Sequence, residues 1–359
     1  MIRKVCLLVG QLSSGGAEKV GANMSISLSK KGYDVTVVTM TNFIDYKYEG
    51  QLYNFGVIKE KYNRLQAFLK FRKFFKNNKF DVVIDHRTRD KFLKELLFSK
   101  FVFQNCSVVY CVHNFRLEYY FSFLSFPWLS LLPHVKKRTF VCVSKEIQNQ
   151  LMKKLNVASK TIYNFISEYD LLTSIEDNPF ENKNYIIGVG RLTTIKQFDK
   201  LINAYYHSEL SKKGILLFIL GDGPEKENLA HLVSKLKLEE FVRILPFRKN
   251  PYTLIKNAKA LVLTSKVEGF PMALLEAVSL KTPVVSFNCK SGPNELIKHE
   301  FNGLLVEDQN EKQLSLALNK LLLNDAYYAV VKANMEIGLN KFSEEKMIQE
   351  WINIFENQI

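Results

Sequence analysis

Cysteine is sparse in this chain of 359 residues: there are five, at positions 6, 106, 111, 142 and 289. An odd count with no C-x-x-C pair argues against a disulfide framework and against a zinc site. Cys6, Cys111 and Cys142 each sit inside an apolar run, which reads as free thiols buried in strands and suits a reducing cytoplasm. Glycine (16) and proline (9) are too few for collagen-like or low-complexity sequence. Long apolar runs are missing as well. The opening MIRKVCLLVGQL has too thin an apolar core for a signal peptide and reads as a first β-strand. The stretch from Tyr119 to Leu132 is broken by Ser122, Ser125, Pro127 and Ser130. It falls short of the ~20 residues that a membrane-spanning helix needs. The G-x-G-x-x-G dinucleotide fingerprint does not follow the first strand.

What is present is an ordinary globular composition, 47% hydrophobic, with 50 Lys+Arg against 36 Asp+Glu and a net charge of +14. That hydrophobic share excludes wholesale disorder, and the length suits two domains. The excess charge implies an anionic partner, whether nucleic acid, a membrane surface or a phosphorylated substrate.

Short Val/Ile/Leu-rich runs recur at 5–10, 34–40, 81–86, 107–114, 139–144, 185–190, 215–223, 242–247, 260–265 and 283–287. Most lack period-2 alternation, as expected of strands covered on both faces of a parallel sheet. Helical segments lie between them, among them Ala17–Lys31 (closed by Gly32), Leu65–Lys76, Lys145–Lys154, Phe198–Ser208, Glu225–Lys237 and Ala273–Leu280. The alternation predicts an α/β fold of two Rossmann-like, doubly wound domains. A polar stretch over 167–184 suggests the boundary, giving an N-terminal domain 1–165 and a second domain 166–340. Residues 341–359 read as a C-terminal helix with Trp351 on its apolar face, packing back on the N-terminal domain.

Four segments could carry chemistry. The turn GQLSSGGAEKV sets Gly15 and Gly16 at a helix start, where backbone N–H groups can meet an anion. A plain tight turn would look the same. In GVGRLTTIKQF, Arg191 and Lys196 flank a strand-to-helix loop and suit a diphosphate, although a solvated charge pair fits too. In SKVEGFPMALLEAV, Glu268 falls in a loop after a strand and Glu276 lies about one turn into the next helix. A carboxylate at Glu276 can accept from both vicinal hydroxyls of a ribose. Glu268, just before Gly269, can reach sugar hydroxyls, and the amides of Met272 and Ala273 can face phosphates. Either glutamate alone could serve only the helix dipole. His113 closes the run VVYCVHN at a strand end, a place where a histidine is usually structural.

Taken in order, the GGAE turn, GVGRL with its lysine, LGDGPEKENL, EGFPMALLE and SGPNELI…NGLLV strongly resemble retaining glycosyltransferases of family 4. That family has the GT-B fold, two Rossmann-like domains facing a central cleft. The resemblance spans Val5 to about Val306, and the chain looks like enzymes of capsule, lipopolysaccharide or teichoic-acid glycan assembly, N-acetylhexosamine transferases included. It implies a nucleotide-sugar donor, UDP-linked, held mainly by the second domain. Arg191 and Lys196 would neutralise the diphosphate, Glu276 would hold the ribose and Glu268 the sugar hydroxyls. The turn of Gly269, Phe270, Pro271, Met272 and Ala273 would add amide contacts, and Gly15 and Gly16 would approach from the first domain. His113 matches a family position near the donor sugar, so the implied catalytic set is His113, Glu268, Arg191 and Lys196. Pro271 stands where many members have glycine. The resemblance implies a front-face transfer in which the leaving phosphate helps to deprotonate the acceptor, with no cofactor and no essential metal.

The charge is uneven. Residues 1–165 carry 27 Lys+Arg and 11 Asp+Glu, and residues 166–359 carry 23 and 25. The segment KYNRLQAFLKFRKFFKNNKF interleaves Phe68, Leu69, Phe71, Phe74 and Phe75 with Lys70, Arg72, Lys73 and Lys76, and reads as a basic amphipathic helix for an anionic membrane surface. The expectation is therefore a peripheral enzyme at the inner face of the cell membrane, acting on a lipid-linked or polymeric glycan. Competing readings are a non-catalytic sugar-nucleotide protein, an epimerase on the same fold, and a basic nucleic-acid binder. No recognised nucleic-acid module supports the last.

Overall fold

The computed structural model describes residues 3–104, 106–167 and 180–356. Residues 168–179, most of the polar stretch read as a domain boundary, lie outside them. The chain forms two compact units, one of residues 1–165 with 344–359 and one of 166–343. By sequence these carry net charges of +13 and +1.

The first unit holds seven parallel strands: β1 (Lys4–Val9), β2 (Asp34–Thr39), β3 (Gln51–Asn54), β4 (Val82–Asp85), β5 (Ser107–Val112), β6 (Arg138–Cys142) and β7 (Lys160–Thr161). Their order is β3-β2-β1-β4-β5-β6-β7. The second unit holds β8 (Tyr185–Val189), β9 (Leu216–Leu220), β10 (Val242–Leu245), β11 (Ala260–Leu263), β12 (Val284–Phe287) and β13 (Leu304–Val306), in the order β10-β9-β8-β11-β12-β13. Both are doubly wound parallel sheets. β1, β4, β5, β11 and β12 are buried along nearly their whole length, which is why their sequences do not alternate. The edge strands β3 and β7 carry no apolar run, because an edge strand is covered on fewer sides, and β13 is an apolar run of only three residues.

Each sheet reverses its winding once, between β1 and β4 and between β8 and β11. In open α/β sheets ligands gather outside the carboxyl ends of strands at such a reversal. The loops after β1, β4, β8 and β11 are therefore the places to look.

The C-terminal helix Glu344–Glu356 belongs to the first unit. It buries Met347, Ile348, Trp351, Ile352, Ile354 and Phe355 in the same core as Val5, Leu7, Val35 and Ile84. Ser27 donates to its Glu344 at 2.6 Å. Each such large apolar side chain contributes roughly 1.5–3 kcal/mol by leaving water. All five cysteines are buried free thiols. No helix among the described residues is long and apolar enough to cross a membrane.

The helix Arg64–Asn78 departs from the expected membrane-facing pattern. Phe71 and Phe75 are buried, and Phe74 stacks on Tyr53 at 3.7 Å between ring centroids. Phe71 also meets Phe55 and Phe98 at 4.4 and 5.4 Å. The phenylalanines recur three and four residues apart, so they share one helix face, and that face is spent on the core. Leu65 and Leu69 are the apolar side chains this helix leaves exposed.

Candidate functional site

Arg191, Lys196, Glu268 and the 269–276 segment all lie in the second unit, on the loops after β8 and β11. These two strands are neighbours at the winding reversal, with Ala260 opposite Ile186. Lys196 Nζ lies 2.5 Å from Glu268 Oε1. The lysine backbone is pinned as well: its carbonyl accepts from Thr264 Oγ1 at 3.0 Å, and Ile195 accepts from the Lys266 amide at 2.8 Å. An ammonium has three donors, so one can hold Glu268 while two face a ligand. Arg191 is exposed on the same loop.

The loop after β8 keeps its shape through the GDGP segment. The Leu192 amide donates to Asp222 at 2.8 Å and the Glu225 amide to Leu192 at 3.0 Å. A Cβ on Gly221 would lie 1.9 Å from the Gly190 carbonyl oxygen, so only glycine lets these two loops touch. GDGP is thus a brace for the Arg191–Lys196 loop.

The SGPNELI segment braces the glutamate loop in the same way. Ser291 Oγ donates to the Gly269 carbonyl at 2.7 Å, and the Glu268 amide donates to Lys290 at 2.6 Å. Gly292 has φ +98, and a Cβ there would sit 2.7 Å from Pro271 Cδ. Pro271 caps the helix Met272–Ser279 in an extended conformation. The first amides of that helix have no partner within it, and the helix dipole favours negative charge there. Glu276 is a buried carboxylate in the same helix. The Phe270 ring turns inward against Phe342, 5.3 Å between centroids, so only its backbone is available to a ligand.

Gly15, Gly16 and His113 belong to the first unit. Gly15 is the N-cap of the helix Gly16–Lys30. A Cβ on Gly15 would lie 1.9 Å from Glu18 Oε2, so the glutamate of GGAE folds back over the turn in the space the glycine leaves open.

His113 follows β5, and its Nε2 lies 2.9 Å from Nδ1 of His86, which follows β4. The His113 amide donates to the Tyr120 hydroxyl at 3.0 Å. Burial holds His86 down at about 4, against Asp85 and with Arg89 adding to the effect. Burial, His86 and Arg89 push His113 well below its ordinary value. The pair is therefore neutral at pH 7 and shares one proton between the facing nitrogens. Cys111 Sγ completes a group whose three ligand-type atoms lie within 4.8 Å of one another. Burial raises that thiol well above its ordinary range.

Beneath the histidines lies a buried ion network that the sequence reading did not single out. Arg87 bridges Asp85 at 2.8 Å and Glu95 at 2.9 Å. Burial alone would raise the Asp85 carboxyl, but Arg87 and Arg89 outweigh it and hold it low. Arg89 donates to the carbonyls of Arg87 and Cys111 at 2.8 and 2.9 Å and lies 5.1 Å from the Tyr110 and Tyr120 rings. Arg89 and Tyr120 thus frame His113. The signal was present as DHRTRD directly after a strand, where two arginines and three acidic or imidazole groups face a switch point.

Two family models match the chain in order: Glycosyltransferase Family 4 over residues 14–168 and Glycosyl transferases group 1 over 173–336. The amylovoran biosynthesis glycosyltransferase AmsD of Erwinia amylovora is 27% identical over 330 residues, covering 90% of this chain and 91% of that protein. The N-acetylgalactosamine-N,N'-diacetylbacillosaminyl-diphospho-undecaprenol 4-alpha-N-acetylgalactosaminyltransferase of Campylobacter jejuni is 28% identical over 369 residues, covering 97% and 98%. Among solved structures, Anabaena HepE in complex with UDP-glucose superposes with a TM-score of 0.77 at 17% identity, covering 99% of each chain.

Proposed function

This chain belongs to the family 4 glycosyltransferases and has their GT-B fold of two Rossmann-like units, and from that premise we propose that it transfers a hexose or N-acetylhexosamine, with retention, from a UDP-sugar to a lipid-linked or polymeric glycan. The observation that carries this reading is the Lys196–Glu268 pair beside Arg191 and the start of the helix Met272–Ser279. Arg191 and the free ammonium protons of Lys196 take the diphosphate. Glu268 takes a donor hydroxyl, and Glu276 the ribose. His113, from the first unit, acts near the donor sugar.

The chemistry follows from this residue set. Breaking the anomeric bond builds charge on the leaving diphosphate, and fixed cations and amides stabilise that charge without reorganising. A retaining hydrolase needs two carboxylates flanking the anomeric carbon. Here Glu268 is engaged by Lys196 and Glu276 is buried in the helix, so neither is offered as a nucleophile. The transfer is a positioned front-face displacement, in which the leaving phosphate oxygen takes the acceptor proton. Arg191 and Lys196 bring to the diphosphate the positive charge that a metal ion would otherwise supply, which supports a metal-independent reaction. AmsD's amylovoran and the Campylobacter enzyme's diphospho-undecaprenol glycan support a cell-envelope acceptor. UDP-glucose in the HepE complex supports a UDP donor.

We place the enzyme peripherally at the cytoplasmic face of the membrane. The exposed Phe123, Phe126 and Trp128 and the positive charge of the first unit support this. A panel of UDP-, GDP- and ADP-sugars tests the central reading, with released nucleotide and product anomer as readouts. Turnover of a UDP-sugar to an α-linked product from an α-linked donor is expected. No response to any nucleotide sugar would overturn it.

A further inference from the structure

We propose that the first unit carries a second ligand site, for a phosphate head on an apolar stem, at the end of its sheet opposite His113. A cavity of about 940 Å³ opens there. Arg3, Asp81 and Lys137 line it just before β1, β4 and β6, and Ser107 lines it at the first residue of β5. His113 follows the last residue of β5. At roughly 3.3 Å per residue, the six steps from Ser107 to His113 span about 20 Å. The cavity is therefore separate from the histidine pair and from the Gly15 turn.

Its walls are of two kinds. Arg3, Arg72, Lys76, Lys79 and Lys137 bring five cations, and Asp81 brings a carboxylate. Asp81 is already committed, since its Oδ2 accepts from the Lys4 amide at 2.8 Å. Outside the lining, Glu356 and Arg3 both act on Tyr33. Arg3 Nη1 is buried and has no hydrogen-bond partner among the described residues. Leaving such a donor unpaired costs about 1–3 kcal/mol, and a phosphate oxygen is the acceptor a guanidinium fits best. The other wall is apolar: Phe75, Phe80 and Phe355 are buried around the cavity, and Phe101 is exposed at 45%. Arg72 lies 6.0 Å from the Phe101 ring, so charge and apolar surface adjoin. A bare inorganic anion has no use for that wall; a phosphate ester with a chain does.

This deepens the membrane placement above but is independent of sugar transfer. The test uses the full-length protein with vesicles of phosphatidylglycerol in phosphatidylcholine, pure phosphatidylcholine vesicles, and inorganic pyrophosphate by calorimetry. Three proteins are compared: the natural chain, Arg3→Gln with Lys137→Gln, and a control with Lys212→Gln and Lys235→Gln in the second unit. We expect binding to the anionic vesicles only, a loss of tenfold or more in the cavity variant, and release by millimolar pyrophosphate. Pyrophosphate binding that is lost in the cavity variant, without vesicle binding, would leave a phosphate site but overturn the apolar stem. If Arg3→Gln fails to fold by circular dichroism, Lys79→Gln with Lys137→Gln, both exposed, carries the comparison. Equal losses in cavity and control variants, or no binding of either probe, would overturn the site. Because vesicle binding needs no donor sugar, failure here leaves the transfer reading standing, and the converse.

Discussion

Lys196 and Glu268 are 72 residues apart in sequence and 2.5 Å apart in the fold. The pair ties the loop after β8 to the loop after β11. It holds a cation and a carboxylate side by side where the winding of the second sheet reverses.

If the pair and Arg191 serve the donor, their removal should be felt in the transition state. Arg191→Ala or Lys196→Ala should each lower kcat/KM about 30-fold or more, or at least ~2 kcal/mol. Glu268→Gln should couple to Lys196→Ala, so the double variant loses less than the sum of the two. Steady-state kinetics with the preferred UDP-sugar provides the check, and near-normal turnover in both cation variants would sink the phosphate assignment.

The turn at Gly292 gives a stability prediction. Gly292→Ala meets both left-handed strain, about 1 kcal/mol, and overlap with Pro271, typically 1–3 kcal/mol more. Gly214 also has a positive φ, +67, but a Cβ there would find nothing within 4 Å. Gly214→Ala should therefore lower Tm by only a few degrees, and Gly292→Ala by clearly more, with a rise in donor KM. Thermal melting of the two variants side by side decides this.

Acid should destabilise the first unit. Burial holds His86 at about 4 and His134 at about 3, His134 also feeling Arg89 and Arg138 against the Leu131 carbonyl. In the unfolded chain both titrate near 6.5. The unfolded state thus binds protons first as pH falls, and stability, full above about 6.5, is lost progressively toward pH 4 and below. Each histidine contributes on the order of 3–5 kcal/mol. His134 lies among Tyr110, Phe121 and Phe140, at 4.7–5.3 Å between ring centroids. His134→Phe should fit this surround and flatten the fall of Tm between pH 6.5 and 4. An unchanged slope would contradict the assignment.

Chelation separates cation chemistry carried by side chains from chemistry carried by an ion. With EDTA present throughout purification and assay, transfer should continue at an unchanged rate. A strict Mg²⁺ or Mn²⁺ requirement would reverse the role given to Arg191 and Lys196.

The two parallel sheets were legible because buried strands demand unbroken Val/Ile/Leu runs, and nothing else in a globular chain reads that way ten times over. The glycines of GDGP and SGP marked loops whose backbones come close, where a side chain could not fit. Arg191, Lys196 and Glu268 were legible as charged types in loops after strands, and Glu276 as a carboxylate in the helix that follows. Which residues meet was not. Lys196 reaches Glu268 only because β8 and β11, three strands apart in sequence, become neighbours where the winding reverses. His86 reaches His113 because β4 and β5 pair in register, with Asp85 opposite Tyr110. The same holds for the helix Arg64–Asn78. Its composition fixed an amphipathic helix, but only packing against Phe55, Tyr53 and Phe98 decided that its phenylalanines face the core. Local sequence sets periodicity and charge, while partner choice is a long-range decision taken by strand order.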